Sequence, residues 1–235
     1  MTDAPRVGRF SVPSPAFLFD LDGTLVDSVY QHVAAWQEAL VACGISLSVW
    51  RIHRRIGMSG GLFLNALQRE TGLTLDAATL DKLSVLHQQG YRERTASVVP
   101  LPGACRLLDT LGANDVPFAI ATSGALAVAS AGLKLLGLPS RVPIVTRDEV
   151  ARAKPDPDLF LAAADKLGVD PAKSFVVGDS VWDLLAAQRA GALGIGLLSG
   201  GYGAEELQAA GAYRVYDDPA DLLDHLEEVG VRPTK

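Results

Sequence analysis

Apolar residues fall into short runs that stop abruptly at Gly, Asp, Ser or Thr, with longer stretches of helical periodicity between them. The runs at residues 16–19, 117–121, 142–145, 174–177 and 194–198 are short, apolar and bounded by turn residues, so each predicts a buried strand. Amphipathic helices separate the later runs. In one, over residues 156–167, Leu159, Phe160, Ala163 and Leu167 share a face and Gly168 supplies the stop. This alternation predicts an α/β fold built on a doubly wound parallel sheet. A last strand over 213–216 and a helix over 219–229 complete it.

The alternation is interrupted once. Residues 28–100 carry only helical patterns: one through Val33, Trp36, Leu40 and Cys43 that ends at Gly44, one from Leu62 to about Glu70, and one from Asp76 to about Arg94. Such a block predicts an all-helical cap subdomain over residues 28–100, inserted into a core of residues 16–27 and 101–235. Residues 1–15 read as a flexible extension. Open parallel sheets bind ligands at the carboxyl ends of their strands, so an insertion there is placed to act as a lid.

Composition narrows the possible partners. Of 235 residues, 49% are apolar and 20% charged, a globular balance. The net charge of −6, without any run of Lys and Arg, offers no surface for nucleic acid or anionic lipid, so any anion site must be local. The longest apolar runs, about five residues, do not span a membrane. No signal peptide is visible, and a cytoplasmic protein is expected. Cys43 and Cys105 lie in helical apolar patterns and are expected to be buried small hydrophobes.

Four polar constellations follow four of the strands. After the first comes Asp20-Leu-Asp22-Gly-Thr24, two carboxylates at a tight turn; one is suited to attack phosphorus and the other to manage a leaving-group proton. An ordinary Asp-Gly turn is the plainer alternative. Thr122-Ser123-Gly124 follows the second strand, where hydroxyl and backbone N–H groups at a helix start suit phosphate oxygens, although for this motif taken alone a helix cap is the commoner explanation. Lys154 precedes the Pro155-Asp156-Pro157 helix start. Asp179 and Asp183, four apart at a strand-helix junction, are placed to face one cation such as Mg²⁺, which favours hard oxygen ligands.

These motifs, in this order, resemble the haloacid dehalogenase superfamily, specifically its phosphatase branch and the group with phosphoglycolate phosphatases and β-phosphoglucomutases. The resemblance covers nearly all of the chain from Phe17 onward. It implies a Rossmann-like catalytic core with a helical cap, and Mg²⁺-dependent hydrolysis of small phosphorylated metabolites, phosphoglycolate or sugar phosphates, through an aspartyl-phosphate. Carried over by motif, Asp20 is the nucleophile and Asp22 the general acid and base. Thr122, with Ser123 and Gly124, binds the transferring phosphate, and Lys154 offsets charge between it and Asp20. Mg²⁺ is held by the Asp20 carboxylate, the Asp22 backbone carbonyl and Asp179, with Asp183 assisting. Ser123 stands where relatives often have Asn. Because Asp22 must be protonated when the leaving group departs, its surroundings are expected to hold its pKa above an ordinary Asp value.

Asp22 sets the chain apart from dehalogenases and phosphonate-cleaving relatives, which lack that carboxylate. The β-phosphoglucomutase-like isomerases are the closer alternative. Tyr30 to Trp36 resembles their hinge, where the matching His supports the acid-base Asp; His32 reads either so or as a solvated helix position, and Trp36 as core packing. Gly60 stands where the mutases have a cap Arg, and the stretch before Tyr91 holds His87 in place of a Lys. Without those anchors for a second phosphate, hydrolysis is expected. A receiver domain shares an Asp, a hydroxyl, a Lys and Mg²⁺, but needs neither this length nor a cap. Substrate contacts in the cap are expected from one or two of Arg51, Arg54 and Arg55 and from the loop 57–61, with His32, Arg55 and Ser59 the leading candidates. The expected partner is a small-molecule phosphate ester and the expected state a monomer or homodimer.

Overall fold

The computed structural model describes residues 15–232; the expected N-terminal extension therefore lies, Pro15 apart, outside the described residues. Six parallel strands form one sheet: β1 (Ala16–Phe19), β2 (Phe118–Ala121), β3 (Ile144–Val145), β4 (Ser174–Gly178), β5 (Leu193–Leu197) and β6 (Ala212–Tyr216). Their spatial order is β3-β2-β1-β4-β5-β6. β1, β2 and β4 are buried along their whole length. On β1 the alternation of side chains feeds two cores. Phe17 and Phe19 pack on one face with Leu107, Leu111, Leu133 and Leu222, and Leu18 packs on the other with Leu159, Phe160 and Ala163. Burying each such Leu or Phe contributes about 1.5–3 kcal/mol, so the strand ends sit on a rigid base.

Four helices lie between β1 and β2 before the core resumes: α1 (Val29–Ala42), α2 (Val49–His53), α3 (Gly60–Thr71) and α4 (Ala77–Arg94). They bury a core of their own, with Val33, Trp36, Leu40, Ile52, Phe63, Leu67 and Leu83 at its centre. Two chain crossings join this insert to the sheet layer, and they are paired to each other: Asp27 N–H donates to Val99 O at 2.9 Å and Leu101 N–H to Leu25 O at 2.9 Å. The core then continues with α5 (Ala104–Ala113), α6 (Leu126–Leu135), α7 (Asp158–Leu167), α8 (Val181–Ala190), α9 (Ala204–Ala209) and α10 (Pro219–Asp224). Among the described residues no helix is long and apolar enough to cross a membrane.

The fold class matches the expectation, and the departures are local. α2 was not predicted, because five residues are too few to show a period. The single helix expected over 219–229 is α10 followed by a 3₁₀ turn (Leu226–Val229), broken at His225, where φ is −115°. α7 starts at Asp158, with Pro157 as its N-cap. Cys43 and Cys105 are half-buried at the edges of the insert core and the sheet core.

Candidate active site

The parallel register brings the four constellations to one edge of the sheet. Phe19 of β1 pairs with Ile120 of β2 and Val177 of β4, so the chain that follows each strand emerges on the same side. Asp20 N–H still donates to Val177 O at 2.9 Å, and Thr122 N–H to Val145 O at 3.0 Å, which extends the ladder to the first polar residue. Asp20, Thr122, Lys154, Asp179 and Asp183 are all 4% exposed or less.

The turn after Asp20 is built around Gly23. Its φ is +79°, and an added Cβ would lie 2.6 Å from Asp179 Oδ2, so only glycine meets both demands. Thr24 Oγ1 donates to Asp179 Oδ1 at 3.1 Å. On the other side, a Cβ on Gly200 would fall 1.7 Å from Asp179 Oδ2. The Asp179 carboxylate is thus seated between two bare backbone segments. Asp183, in the first turn of α8, accepts at Oδ2 from Ser180 N–H (3.1 Å) and Ser180 Oγ–H (2.5 Å), a capping box at the positive end of the helix. That bond turns its other oxygen, Oδ1, to within 2.8 Å of Lys154 Nζ, which also pairs with Asp20 Oδ1.

Three buried carboxylates, Asp20, Asp179 and Asp183, present one oxygen each within 4.8 Å of one another. Lys154 is the cation paired with two of them. Burial pushes the Asp20 carboxyl up to about 7; Lys154 opposes this, while Asp183 and Asp22 add to it. Burial, then the charges of Asp183 and Asp20, drive Asp179 well above the usual carboxylate range. For Lys154, burial favours the neutral form, but Asp183 and Asp20 outweigh it and hold the ammonium above its ordinary range. The cluster therefore carries more negative charge than it can balance. Its hard oxygen donors suit a small divalent cation, and Mg²⁺ fits this set.

Asp22 belongs to a second network. Its Oδ1 accepts from Ser28 Oγ–H at 2.6 Å and lies 3.3 Å from His32 Nε2. His32 in turn stacks on the buried ring of Tyr91, with centroids 3.8 Å apart, and its Nδ1 is 3.1 Å from His87 Nε2. The environment of Asp22 departs from expectation. Burial pushes its carboxyl up, but His32 and the Ser28 hydroxyl more than reverse this, and its pKa lies below the usual Asp value. His32 is buried in this network and is not a solvated helix position.

A cavity of about 260 Å³ lies between sheet edge and insert, lined by Asp20, Asp22, Thr122 and Lys154 on one side and His32, Trp36, Arg55 and His87 on the other. Ser123 and Gly124 also line it, yet their polar atoms are partly engaged. Ser123 Oγ–H donates to Gly57 O of the insert at 2.9 Å, and Gly124 N–H donates to Thr122 Oγ1 at 3.0 Å. Ser59 is not among the lining residues; it caps α3 by accepting from Leu62 N–H at 3.4 Å. Of the three arginines only Arg55 lines the cavity. Arg51 pairs with Glu70 at 3.4 Å, and Arg54 pairs with Glu206 on α9. The residues that sequence reasoning left unassigned are Thr24, Ser28, Trp182 and Tyr202. The last two donate to Arg54 O, at 3.2 and 2.9 Å, and tie the insert down beside the site.

The haloacid dehalogenase-like hydrolase family matches residues 15–191. The chain belongs to this family. Hexitol phosphatase A of Escherichia coli K12 is 34% identical over 177 residues, 74% of this chain and 79% of that protein. The phosphoglycolate phosphatase of Rhodospirillum rubrum is 33% identical over 218 residues, 90% of each chain. Among solved structures, a hydrolase from Pseudomonas syringae has a TM-score of 0.90 and 53% identity, covering 93% of this chain and 100% of the other. The expectation of a haloacid dehalogenase-like phosphatase with a helical insert thus holds for family, fold and enzyme class.

Proposed function

We propose that this phosphatase hydrolyses small phosphate monoesters through an aspartyl-phosphate formed on Asp20, with Mg²⁺ as its cofactor. The observation that carries this reading is the buried cluster of Asp20, Lys154, Asp179 and Asp183, of which Asp20 and Lys154 line the cavity together with Thr122. Asp20, Asp179 and the Asp22 backbone carbonyl would hold the ion, with Asp183 helping. Bound there, Mg²⁺ supplies positive charge that lets a phosphate dianion approach a carboxylate.

The residues then divide the work. Asp20 attacks phosphorus as the bond to the ester oxygen breaks. Lys154 and the Thr122 hydroxyl hold the equatorial oxygens, which carry the developing charge. Asp22 gives its proton to the departing oxygen; later it takes one from the water that attacks the acyl-phosphate, which frees phosphate and restores Asp20. A phosphate dianion beside Asp22 opposes the lowering effect of His32 and favours the protonated acid at that stage. The insert closes the site over the cavity and limits the water that reaches it.

Hydrolysis is favoured over phosphosugar isomerisation because Gly60 and the neutral-ring position His87 offer no cation for a second phosphate. The net charge of −6 and the absence of a basic run fit an enzyme that meets a small-molecule ester and not nucleic acid; a cytoplasmic monomer or homodimer completes the proposal. The test is a phosphate-release assay over a panel of phosphorylated metabolites with Mg²⁺, alongside NMR of β-glucose 1-phosphate with catalytic bisphosphate. Free phosphate should appear; glucose 6-phosphate without phosphate would replace this reading with the isomerase.

A further inference from the structure

Four rings meet where α1 packs on α4 beside the cavity. His32 and Trp36 lie four apart on α1, and His87 and Tyr91 four apart on α4, so each pair shares a helix face. Gly90 lets the two helices come close, since a Cβ there would already lie 3.4 Å from Ala35 Cα. Tyr91 stacks on His32 with centroids 3.8 Å and planes 3° apart, and Trp36 stacks on His87 at 4.1 Å and 11°. These stacks hold both imidazole planes, whose edges meet at His32 Nδ1 and His87 Nε2, 3.1 Å apart. None of the proposed catalytic steps uses His87.

Resting on the phosphatase reading, we propose that His87 is a positioning residue for acid catalysis: by donating from Nε2 to His32 Nδ1 it fixes the His32 tautomer, and through it which oxygen of Asp22 carries the transferable proton. Both contacts to the Asp22 side chain fall on Oδ1, where Ser28 Oγ–H donates at 2.6 Å and His32 Nε2 lies 3.3 Å away. Two donors at Oδ1 leave Oδ2 to hold the proton that Asp22 gives to the departing ester oxygen. That arrangement needs the His32 hydrogen on Nε2. A neutral His32 then has a bare Nδ1, and His87 Nε2 is the ring nitrogen that reaches it. In the other tautomer His32 Nε2 would accept, and the carboxyl proton would settle on Oδ1, facing the imidazole instead of the ester. His87 suits the task because it stays a neutral donor: burial first, and then the charge of His32, hold its ring well below the usual histidine range.

Benzyl phosphate and p-nitrophenyl phosphate, assayed with Mg²⁺, separate this role from packing. Both carry one aromatic ring, but benzyl alcohol leaves as a strongly basic alkoxide unless it is protonated, whereas p-nitrophenolate departs without a proton. His87→Phe keeps a ring against Trp36 and removes the hydrogen bond. Its benzyl to p-nitrophenyl ratio of kcat/KM should fall by about tenfold or more, a part of the roughly 10²–10⁴-fold that a positioned general acid contributes. His87→Gln loses the ring but keeps an amide that can donate to His32, and should hold the ratio within about threefold of wild type. An unchanged ratio in His87→Phe, or a fall in His87→Gln that His87→Phe escapes, overturns the proposal. Should His87→Phe not fold, His87→Leu supplies the side chain without a hydrogen bond. Wild-type turnover of p-nitrophenyl phosphate but not of benzyl phosphate means that no acid assists the leaving oxygen, and defeats this inference alone. Turnover of neither ester defeats the phosphatase reading and the inference with it.

Discussion

His32 Nδ1 lies 3.1 Å from His87 Nε2 while His32 Nε2 lies 3.3 Å from Asp22 Oδ1, so one imidazole links the acid-base candidate to a histidine of α4. If His32 Nε2 donates to Asp22, a neutral His32 must accept at Nδ1, and His87 must carry its hydrogen on Nε2. The native pKa of His87 lies well below its ordinary 6.5. Below that pH the unfolded chain therefore binds a proton that the native state refuses. Stability should fall as pH drops through about 6.5, by up to about 1.4 kcal/mol per pH unit, until the native pKa is reached. Asp20 and Asp179, whose native pKa values are raised, act in the opposite sense. The difference between wild type and His87→Gln isolates the histidine: between about pH 7.5 and pH 5 the variant should lose less stability in urea titrations. Parallel pH profiles would show that His87 titrates as an ordinary exposed histidine.

Magnesium should stabilise the fold as well as support turnover. The three carboxylates repel one another, Lys154 pairs with two of them, and an added cation binds the native arrangement but not the unfolded chain. At a hundred times its Kd, Mg²⁺ should add about 2.7 kcal/mol to the stability of EDTA-treated protein, read as a rise in Tm. Asp179→Asn should lose most of that rise. Asp183→Asn should lose less of it while lowering stability without metal, because its carboxylate also caps α8. A Tm indifferent to Mg²⁺ would remove the metal from the proposal.

Asp20→Asn separates chemistry from folding. Asn keeps the shape of the side chain but is not a nucleophile, so kcat should fall by at least about 10³-fold. One buried anion disappears, and Lys154 keeps Asp183 as its partner, so the metal-free Tm should hold or rise. Retained turnover, or a collapse of the fold, would reject the assignment of Asp20.

The strand ends were legible because an apolar run that stops at Asp20, Thr122 or Asp179 announces both burial and a polar edge, and parallel pairing does the rest. The helical insert was legible from its 3.6-residue period. What the sequence hid is pairing at long range. Nothing local to Arg54 shows that its carbonyl accepts from Trp182 and Tyr202, more than a hundred residues away. The resting state of Asp22 was hidden for a related reason: the reaction calls for a raised carboxyl, while His32 and Ser28, invisible as partners in the sequence, lower it before substrate binds. Trp36 was expected in the core; it packs there on Phe63 and also lines the cavity, stacked on His87 at 4.1 Å.

Gly200 offers the sharpest test of how Asp179 is held. Its Cα sits so close to the carboxylate that a methyl group would meet Oδ2 at 1.7 Å and Cγ at 2.5 Å, and Thr24 Oγ1 bonds the same carboxylate at Oδ1. Gly200→Ala must therefore move Asp179, break the Thr24 bond or shift the 3₁₀ turn (Leu198–Gly200) that follows β5. The first two results displace or loosen a proposed metal ligand without removing its charge, and the third removes one wall of its seat. The Mg²⁺ concentration for half-maximal activity should rise about tenfold or more, roughly the loss seen when groups that orient metal ligands are removed. Gly112→Ala is the matched control: its new methyl group meets nothing within 4 Å, so helix α5 should gain about 0.5–1 kcal/mol with kinetics unchanged. If Gly200→Ala kept wild-type Mg²⁺ dependence, the Asp179 carboxylate would have room to spare and the tight seating between Gly23 and Gly200 would have no role in binding metal.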